Sequence, residues 1–327
     1  MKKYGVRIGC LLLCVALLCT GCGGTGNTET STTETTTTTI PTTSTTLTPT
    51  TTQKEMAVSG LLVNCPDGNR VDAELLARLK GVCSSYKNEL SFYYKDLVSG
   101  YSIEFCADAI YQTASVIKAP YIRYLLETVN VDLNKKLKMT QKQGGSSHID
   151  AKPMGTEFTV KELMEYAIRY SDNTAYYMLN EEFGFSGFNA YANTLDIRAN
   201  ATNELTLAFP KPRFGYLSAR DAGLYFEDIA AYIEQGSENA KLLKSWLTST
   251  TIDGMLADAL GETYELAHKY GEQGSQAYHD AAIVYAPQPY VLTILSTLEP
   301  YTDASDKAFA NVAALIDAIQ TQLHAEK

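Results

Sequence analysis

Ser115 and Lys118 form the first pair of residues whose types and spacing could carry chemistry. They lie three positions apart in YQTASVIKAPYIRYLLE, residues 111–127, and apolar residues on most sides of this stretch predict the first turns of a buried helix. At this spacing two helical side chains share one face and come within reach of each other. Ser115 falls near the predicted helix start, where free N–H groups and the helix dipole favour developing negative charge.

A serine hydroxyl is a poor nucleophile at its ordinary pKa, so Ser115 needs a base. No His lies in a motif with Ser115, and a Ser-His-Asp arrangement is not visible. The apolar flanks favour a half-buried Lys118. A half-buried Lys118 that also lies near Lys269 could have its ammonium pKa lowered enough to accept the serine proton. The alternative is an ordinary lysine on an exposed helix face.

A second polar segment, Ser171-Asp172-Asn173, lies between two predicted helices. The Ser171 hydroxyl could pass a proton between Lys118 and a leaving nitrogen, it could cap the following helix, or it could do both. The Asn173 amide could hydrogen-bond a substrate amide carbonyl. We expect Asp172 to brace the loop rather than to react.

A third segment, Lys269-Tyr270-Gly271, falls on a predicted strand. The Lys269 ammonium could supply positive charge for a substrate carboxylate. The alternative is a strand lysine that faces solvent.

The hydrophobic pattern predicts the elements that must position these three segments. Strand-like runs cover residues 58–63, 90–94, 101–105, 264–270, 277–285 and 290–296. Helical patterns cover residues 71–86, 111–127, 159–170, 174–182, 238–246 and 304–323, and a further helix opens at Ser218. Thr159 and Glu162 match a capping box at the start of one of them.

This order of elements predicts an α+β fold. The strands near the two ends would join in one antiparallel sheet flanked by the first and last helices, while the middle forms an all-helical lobe and a cleft lies between the two. We predict a catalytic domain over residues 56–327, with its α/β part at 56–110 and 255–327 and its helical lobe at 111–254.

The three segments, in this order, resemble the motif set of the class A β-lactamase family of penicillin-recognising serine hydrolases. The resemblance covers residues 88–300 and includes S-V-I-K at 115–118, S-D-N at 171–173 and K-Y-G at 269–271. It implies a class A β-lactamase-like fold, no cofactor, a small-molecule substrate and an acyl-enzyme on Ser115. It also implies an oxyanion hole made by the N–H groups of Ser115 and Glu272.

Two positions depart from the family pattern. Tyr270 stands where the family has Thr or Ser, whose small hydroxyl contacts the substrate carboxylate. The family places its deacylation base in an E-x-x-L-N pattern, and the near match here is Glu204, with Ala208 in the Asn position. We interpret Glu204 as that base, and the alternative is a loop carboxylate in solvent.

Three activities are compatible with these residues. The resemblance implies β-lactam hydrolysis. Tyr270 and the imperfect Glu204 match favour instead a cell-wall D,D-peptidase or transpeptidase-like enzyme that acts on D-amino-acid peptides. A third possibility is a penicillin-binding or sensing protein that is acylated but does not turn over.

The N-terminal residues predict export and membrane attachment. A basic start is followed by an apolar run, residues 8–18, that is too short to span a bilayer as a stable helix. The ending LCTGC resembles a bacterial lipoprotein signal, which implies that residues 1–21 are removed and that Cys22 carries the lipid. An ordinary signal peptide cut near Gly21 is the alternative. We expect a lipid-anchored protein on the extracytoplasmic face of the bacterial membrane.

Residues 22–55 are dominated by Thr and have almost nothing to bury, so we expect a disordered stalk. The net charge of −10 argues against nucleic acid as a partner. The predicted domain holds Cys65, Cys83 and Cys106, an odd number that permits at most one internal disulfide. It has no C-x-x-C pair and its His are scattered, so we expect no metal site. We also expect a monomer.

Overall fold

An antiparallel sheet of seven strands organises the part of the chain that the structure describes. This structure, a computed structural model, describes residues 56–58, 60–66, 68, 71–86, 89–197, 214–251 and 254–325, all within the unit Thr51–Lys327. The strands are β1 Met56–Val58, β2 Leu61–Asn64, β3 Leu90–Asp96, β4 Ser102–Phe105, β5 Ile110–Gln112, β6 Lys136–Lys138, β7 Glu157–Thr159, β8 Tyr216–Ser218, β9 Leu266–Glu272, β10 Tyr278–Val284 and β11 Tyr290–Ser296. The α-helices are α1 Ala73–Ser84, α2 Lys118–Tyr124, α3 Val160–Arg169, α4 Asn173–Phe183, α5 Ser186–Thr194, α6 Ala219–Glu234, α7 Glu238–Leu247, α8 Met255–Leu260 and α9 Asp303–Leu323.

The strand order of the main sheet is β1-β2-β4-β3-β11-β10-β9, and each neighbouring pair is antiparallel. Strands from the two ends of the domain therefore meet at the β3–β11 pair in the middle of the sheet. Strand β9 is an edge strand, with β10 on one side only. The predicted α+β class, with one sheet built from both ends of the domain, is confirmed.

Both faces of the sheet are covered, so its central strands are buried throughout. Side chains alternate between two apolar clusters, as the period of two in a strand requires. On β10, Ala281 and Ile283 join the cluster formed with helices α2 to α7, whereas Ala282 and Val284 join the cluster formed with α1, α8 and α9. The sheet is thus a shared wall between two cores.

Local capping signals fix the helix starts around the site. The Thr159 hydroxyl accepts a hydrogen bond from Glu162 N, and the Glu162 carboxylate accepts one from Thr159 N, which confirms the predicted capping box. Ser218 and Asp221 make the same reciprocal pair at the start of α6. These caps satisfy N–H groups that a helix leaves without an internal partner.

The serine helix begins later than the pattern predicts. Tyr111 and Gln112 belong to strand β5, which pairs with β8, so the prediction of helix from 111 onwards is wrong at its start. A 3-10 turn follows at Ala114–Ile117, then α2, then a π-helical turn at Leu125–Val129. Two main-chain features mark the change from strand to 3-10 turn. Thr113 N donates a hydrogen bond to Gly215 O, and Ala114 has a left-handed φ of 41°. The short strands β5 to β8 and helices α5 and α8 had no clear sequence signal.

The described residues contain neither a disulfide nor a membrane-crossing helix. Cys65, Cys83 and Cys106 form no disulfide, which agrees with the limit of at most one. Among the described helices, none combines the length and apolar character that crossing a bilayer requires.

Helix α6 lies against the sheet through Gly223. A Cβ atom at this position would lie 2.1 Å from Tyr93 Cδ1 on β3. The Tyr93 ring has little freedom to yield, because its hydroxyl donates a 2.6 Å hydrogen bond to Glu227 on the same helix. The close approach of α6 to the sheet therefore depends on the absence of a side chain at 223.

We predict opposite effects of one substitution at two helical glycines. Gly223→Ala should lower the free energy of unfolding by about 1–3 kcal/mol through overpacking. Gly81→Ala, on the exposed side of α1 with no atom within 4 Å of the new Cβ, should raise it by about 0.5–1 kcal/mol. Urea unfolding followed by circular dichroism measures both. An unchanged Gly223→Ala protein would show that α6 can shift away from the sheet at no cost.

Candidate active site

The Ser115 turn lies directly against the edge strand β9. A Cβ atom added to Gly271 would stand 3.0 Å from Ser115 N and 3.1 Å from Thr113 O, closer than ordinary van der Waals contact, so the two main chains lie directly against each other. Ser115 is the second residue of the 3-10 turn and is partly exposed. The left-handed φ of Ala114 just before it is uncommon for a residue other than Gly and is typical of strained functional turns.

The approach to this turn is held by His279. This imidazole is completely buried, and burial lowers its pKa to about 4, so it is neutral at physiological pH. Its Nε2 lies 2.8 Å from Gln112 O and its Nδ1 accepts a hydrogen bond from Ser296 N at 3.0 Å, an arrangement that places the proton on Nε2. His279 therefore ties the strand before the serine to β10 and β11. We predicted no role for His279 from the sequence.

Lys118 is completely buried, not half buried as predicted. Its Nζ donates to Ser171 O at 2.6 Å and to Asn173 Oδ1 at 2.8 Å. The rings of Tyr176 and Phe214 lie with their centroids 5.6 and 5.7 Å from Nζ. Burial lowers the Lys118 pKa to about 7, against the opposing charge of Asp172. Lys118 therefore loses its proton much closer to neutral pH than an ordinary lysine does.

Ser171 lies between two lysine side chains. Its Oγ is 3.3 Å from Lys118 Nζ and 3.0 Å from Lys269 Nζ, and both amines can donate to it. The residue is buried and has a left-handed φ of 52°, so its hydroxyl points into the site from a bent main chain. A hydroxyl that accepts from two amines keeps its own proton available to a third group.

Asp172, not Ser171, is the N-cap of α4. Its Oδ1 accepts from Ala175 N at 2.8 Å, and its Oδ2 accepts from Ile149 N at 2.9 Å. It therefore ties the S-D-N segment to a separate loop, as the expected bracing role requires. The alternative in which Ser171 caps this helix is wrong, because the helix begins one residue later than that role needs.

Asn173 begins α4 and remains partly exposed. Its Oδ1 accepts from Lys118, and its Nδ2 makes a long 3.4 Å contact with Gly144 O. The oxygen is thus committed to the lysine, whereas the amide N–H₂ group holds only a weak partner. That orientation leaves Nδ2 as the donor that a substrate carbonyl could meet.

Lys269 is completely buried and does not face solvent. Its Nζ donates to Ser171 Oγ and to Tyr270 O at 2.9 Å, and it lies 3.8 Å from the centroid of the Tyr270 ring. Burial and the neighbouring Lys118 charge lower the Lys269 pKa well below its usual range, while Asp280 opposes this shift. The two amines cannot both carry a full charge at low cost so close to one hydroxyl.

The end of β9 provides an open main-chain edge beside Ser115. Glu272 is exposed, and its carboxylate accepts a 2.6 Å hydrogen bond from Tyr301 Oη. Gln273 N bonds Ala277 O on the β10 side. Because successive N–H groups of a strand point to opposite sides, the Glu272 N–H points away from β10. Its direction suits the predicted pairing with the Ser115 N–H.

A buried carboxylate behind this edge was missed in the sequence. Asp280 on β10 is completely buried, lies 3.1 Å from His268 Nδ1 and accepts from Leu256 N at 3.2 Å. It stands opposite Tyr270 in the β9–β10 register. The sequence held a signal for this buried carboxylate, since two polar residues, His279 and Asp280, stand side by side at the start of an otherwise apolar strand.

The structure thus brings Lys118, Ser171, Asn173 and Lys269 into one hydrogen-bonded cluster beside the Ser115 turn. Glu204, proposed as the deacylation base, lies outside the described residues, as does Cys22. The hydrogen bonds that Lys118 Nζ makes among the described residues go to the S-D-N segment, and none joins it to Ser115 Oγ.

Comparisons with known proteins agree with this arrangement. A sequence profile of the "Beta-lactamase enzyme family" matches residues 74–320. "Beta-lactamase 3" of Bacillus cereus is 26% identical over 223 residues, which span 64% of this chain and 70% of that protein. A β-lactamase of Streptomyces albus G is 26% identical over 267 residues, which span 76% of this chain and 84% of that protein.

Solved structures share the fold. A PBP-A mutant, captured as an acyl-enzyme with penicillin G, superimposes with a TM-score of 0.65 at 21% identity, covering 77% of this chain and 98% of that one. A β-lactamase from Streptosporangium roseum gives 0.63 at 23% identity, covering 77% and 100%. Since the family profile spans most of the described domain, this chain belongs to the beta-lactamase enzyme family.

Proposed function

We propose that this protein is a serine hydrolase that opens β-lactam rings through an acyl-enzyme on Ser115. The observation that carries the proposal is the shared hydroxyl of Ser171, held by Lys118 and Lys269 beside the Ser115 turn. The cluster provides a nucleophile, an amine of lowered pKa and a proton carrier, which are the groups that acyl transfer to serine needs. The β-lactamases among its relatives support the same substrate class.

Acylation begins with removal of the Ser115 proton. Uncharged Lys118 is the base, acting through a bridging water or after its side chain turns from the S-D-N segment. The hydroxyl oxygen attacks the amide carbonyl, and the N–H groups of Ser115 and Glu272 stabilise the resulting oxyanion. As the ring C–N bond breaks, Ser171 gives its hydroxyl proton to the leaving nitrogen and regains one from Lys118, which returns the proton taken from Ser115. Asn173 Nδ2 holds the substrate's amide side chain.

In deacylation, a water molecule attacks the acyl carbonyl carbon and breaks its ester bond to Ser115 Oγ. We propose Glu204 as the base that takes the proton of this water. With this carboxylate the protein hydrolyses its acyl-enzyme and turns over, and without it the protein stays acylated. A D,D-peptidase and a penicillin sensor remain the alternatives, and the same experiment distinguishes them.

We predict that a labelled penicillin forms a covalent adduct that depends on Ser115. Mass spectrometry of the intact protein should show the adduct form and decay in the wild type, fail to form in Ser115→Ala, and persist in Glu204→Gln. A stable wild-type adduct with hydrolysis of a D-Ala-D-Ala peptide would indicate a D,D-peptidase, and a stable adduct with no turnover would indicate a sensor. An adduct that survives Ser115→Ala would disprove the assigned nucleophile.

Acylation should depend on pH through Lys118. Its pKa of about 7 means that the uncharged base is lost as pH falls, so the acylation rate should drop about tenfold per pH unit below 7 and level off above it. Lys118→Met should lower the rate by about 100-fold or more. Lys241→Met, at an exposed lysine of α7, is the matched control and should change nothing. A flat profile from pH 5 to 9 would exclude Lys118 as the base.

We also propose that the mature protein is a monomer anchored by a lipid on Cys22, on the extracytoplasmic face of the membrane, with residues 22–55 as its tether. The support is the leader composition and the Thr-rich stretch that follows it.

Cys22→Ser should abolish incorporation of labelled palmitate and move the protein from the membrane fraction to the soluble fraction of an expressing bacterium. Cys65→Ser is the matched control and should leave both unchanged. Sedimentation of the detergent-solubilised protein should give the mass of one chain. Retention of Cys22→Ser in the membrane would contradict the lipid anchor.

A further inference from the structure

The Lys269 amine has no N–H group left for a ligand among the described residues. A charged lysine offers three N–H groups, and an uncharged one offers two. Two are directed to Ser171 Oγ and Tyr270 O, and the remaining side of the nitrogen faces the Tyr270 ring at 3.8 Å from its centroid, within the range of a cation–π contact. The exposed fraction of Lys269 is 0%, so this amine is closed to solvent.

Tyr270 makes this cover and is itself held in place. Its side chain is 8% exposed and belongs to the apolar cluster on the α8 and α9 side of the sheet. Because β9 is an edge strand, the ring can pass from that side to the Lys269 nitrogen. Burial raises the pKa of the Tyr270 phenol, and an interaction of its hydroxyl with the Ser171 side chain lowers it in part. The phenol thus occupies space between the edge strand and the S-D-N segment.

Negative charge surrounds the same place. Asp280 is completely buried opposite Tyr270, and its charge acts on both Lys269 and Tyr270. Glu272 is two residues further along β9, and its charge also acts on the phenol. A further carboxylate at this position would lose its hydration and meet two acidic groups instead of a free ammonium.

Lys118 does not offer a substitute. Its Nζ is directed to Ser171 O, Ser171 Oγ and Asn173 Oδ1, and the rings of Tyr176 and Phe214 lie on its remaining side. Neither amine of the cluster therefore presents a free N–H to an anionic group.

We propose that Tyr270 is a specificity-determining residue whose ring covers Lys269, so that the site prefers acyl donors with a neutral group, rather than a carboxylate, next to the scissile amide. This inference rests on the proposed acyl-enzyme function and adds the feature of the substrate that the site selects. A neutral ester or amide at that position needs no ammonium and can pack against the phenol edge.

The test compares benzylpenicillin with its methyl ester, a pair that differs only in the carboxylate. The second-order rate constant for Ser115 acylation is measured for each by intact-protein mass spectrometry, and each value is divided by the rate at which hydroxide opens the same ring. This division corrects the comparison for the difference in intrinsic reactivity between the two β-lactam rings. The wild type should acylate with the ester at least as fast as with the free acid.

Two variants separate the ring from the hydroxyl. Tyr270→Phe keeps the ring over Lys269 and should keep the wild-type ratio. Tyr270→Thr uncovers Lys269 and should shift the ratio about tenfold or more toward the free acid, since a charge-assisted hydrogen bond becomes available. Thermal unfolding confirms that both variants are folded.

The outcomes are distinct. A wild type that prefers the free acid tenfold or more, or a Tyr270→Thr protein with an unchanged ratio, overturns this inference and leaves the acyl-enzyme function in place. Absence of any Ser115 adduct with both compounds overturns the proposed function together with the inference. An ester preference that Tyr270→Thr reverses supports both.

Discussion

Two lysine amines that share one serine hydroxyl are the interaction on which the site depends. Lys118 comes from the helix after the nucleophile and Lys269 comes from the edge strand, and Ser171 joins them from the segment before α4. Two buried amines repel each other if both are charged, and burial already disfavours each charge. The structure reduces this repulsion in two ways. The pKa of each amine is lowered, and each amine donates its hydrogen bonds to uncharged oxygen atoms.

The rest of the fold serves to hold that arrangement. Asp172 anchors the S-D-N segment from two sides, and His279 anchors the strand that leads to the serine turn. Each uses a buried group whose hydrogen bonds are fully directed to main-chain atoms, so neither can turn without leaving a polar group unsatisfied. The main sheet links the His279 anchor to the site, because the edge strand carries Lys269 and the adjacent strand carries His279.

The sequence was sufficient for the class of fold and for the grouping of the motifs, because hydrophobic period and capping residues act locally. Contacts between residues that are distant in the chain could not be predicted. Complete burial of Lys118 depends on Tyr176 and Phe214, which are distant in the chain, and no local pattern indicates how closely they pack. The capping role passed to Asp172 because its second oxygen binds Ile149 N, another contact between distant residues. The assignment of Glu204 rests on a pattern of residues alone.

The contact at Gly271 has a consequence for how this protein can change. A methyl group there would strike main-chain atoms of Ser115 and Thr113, which cannot rotate aside as the tip of a side chain can. A side chain at 271 would therefore require the serine turn and the strand edge to move apart. We therefore expect substitutions that change substrate preference at positions flanking this contact, such as the exposed side chain of Glu272 on the same strand.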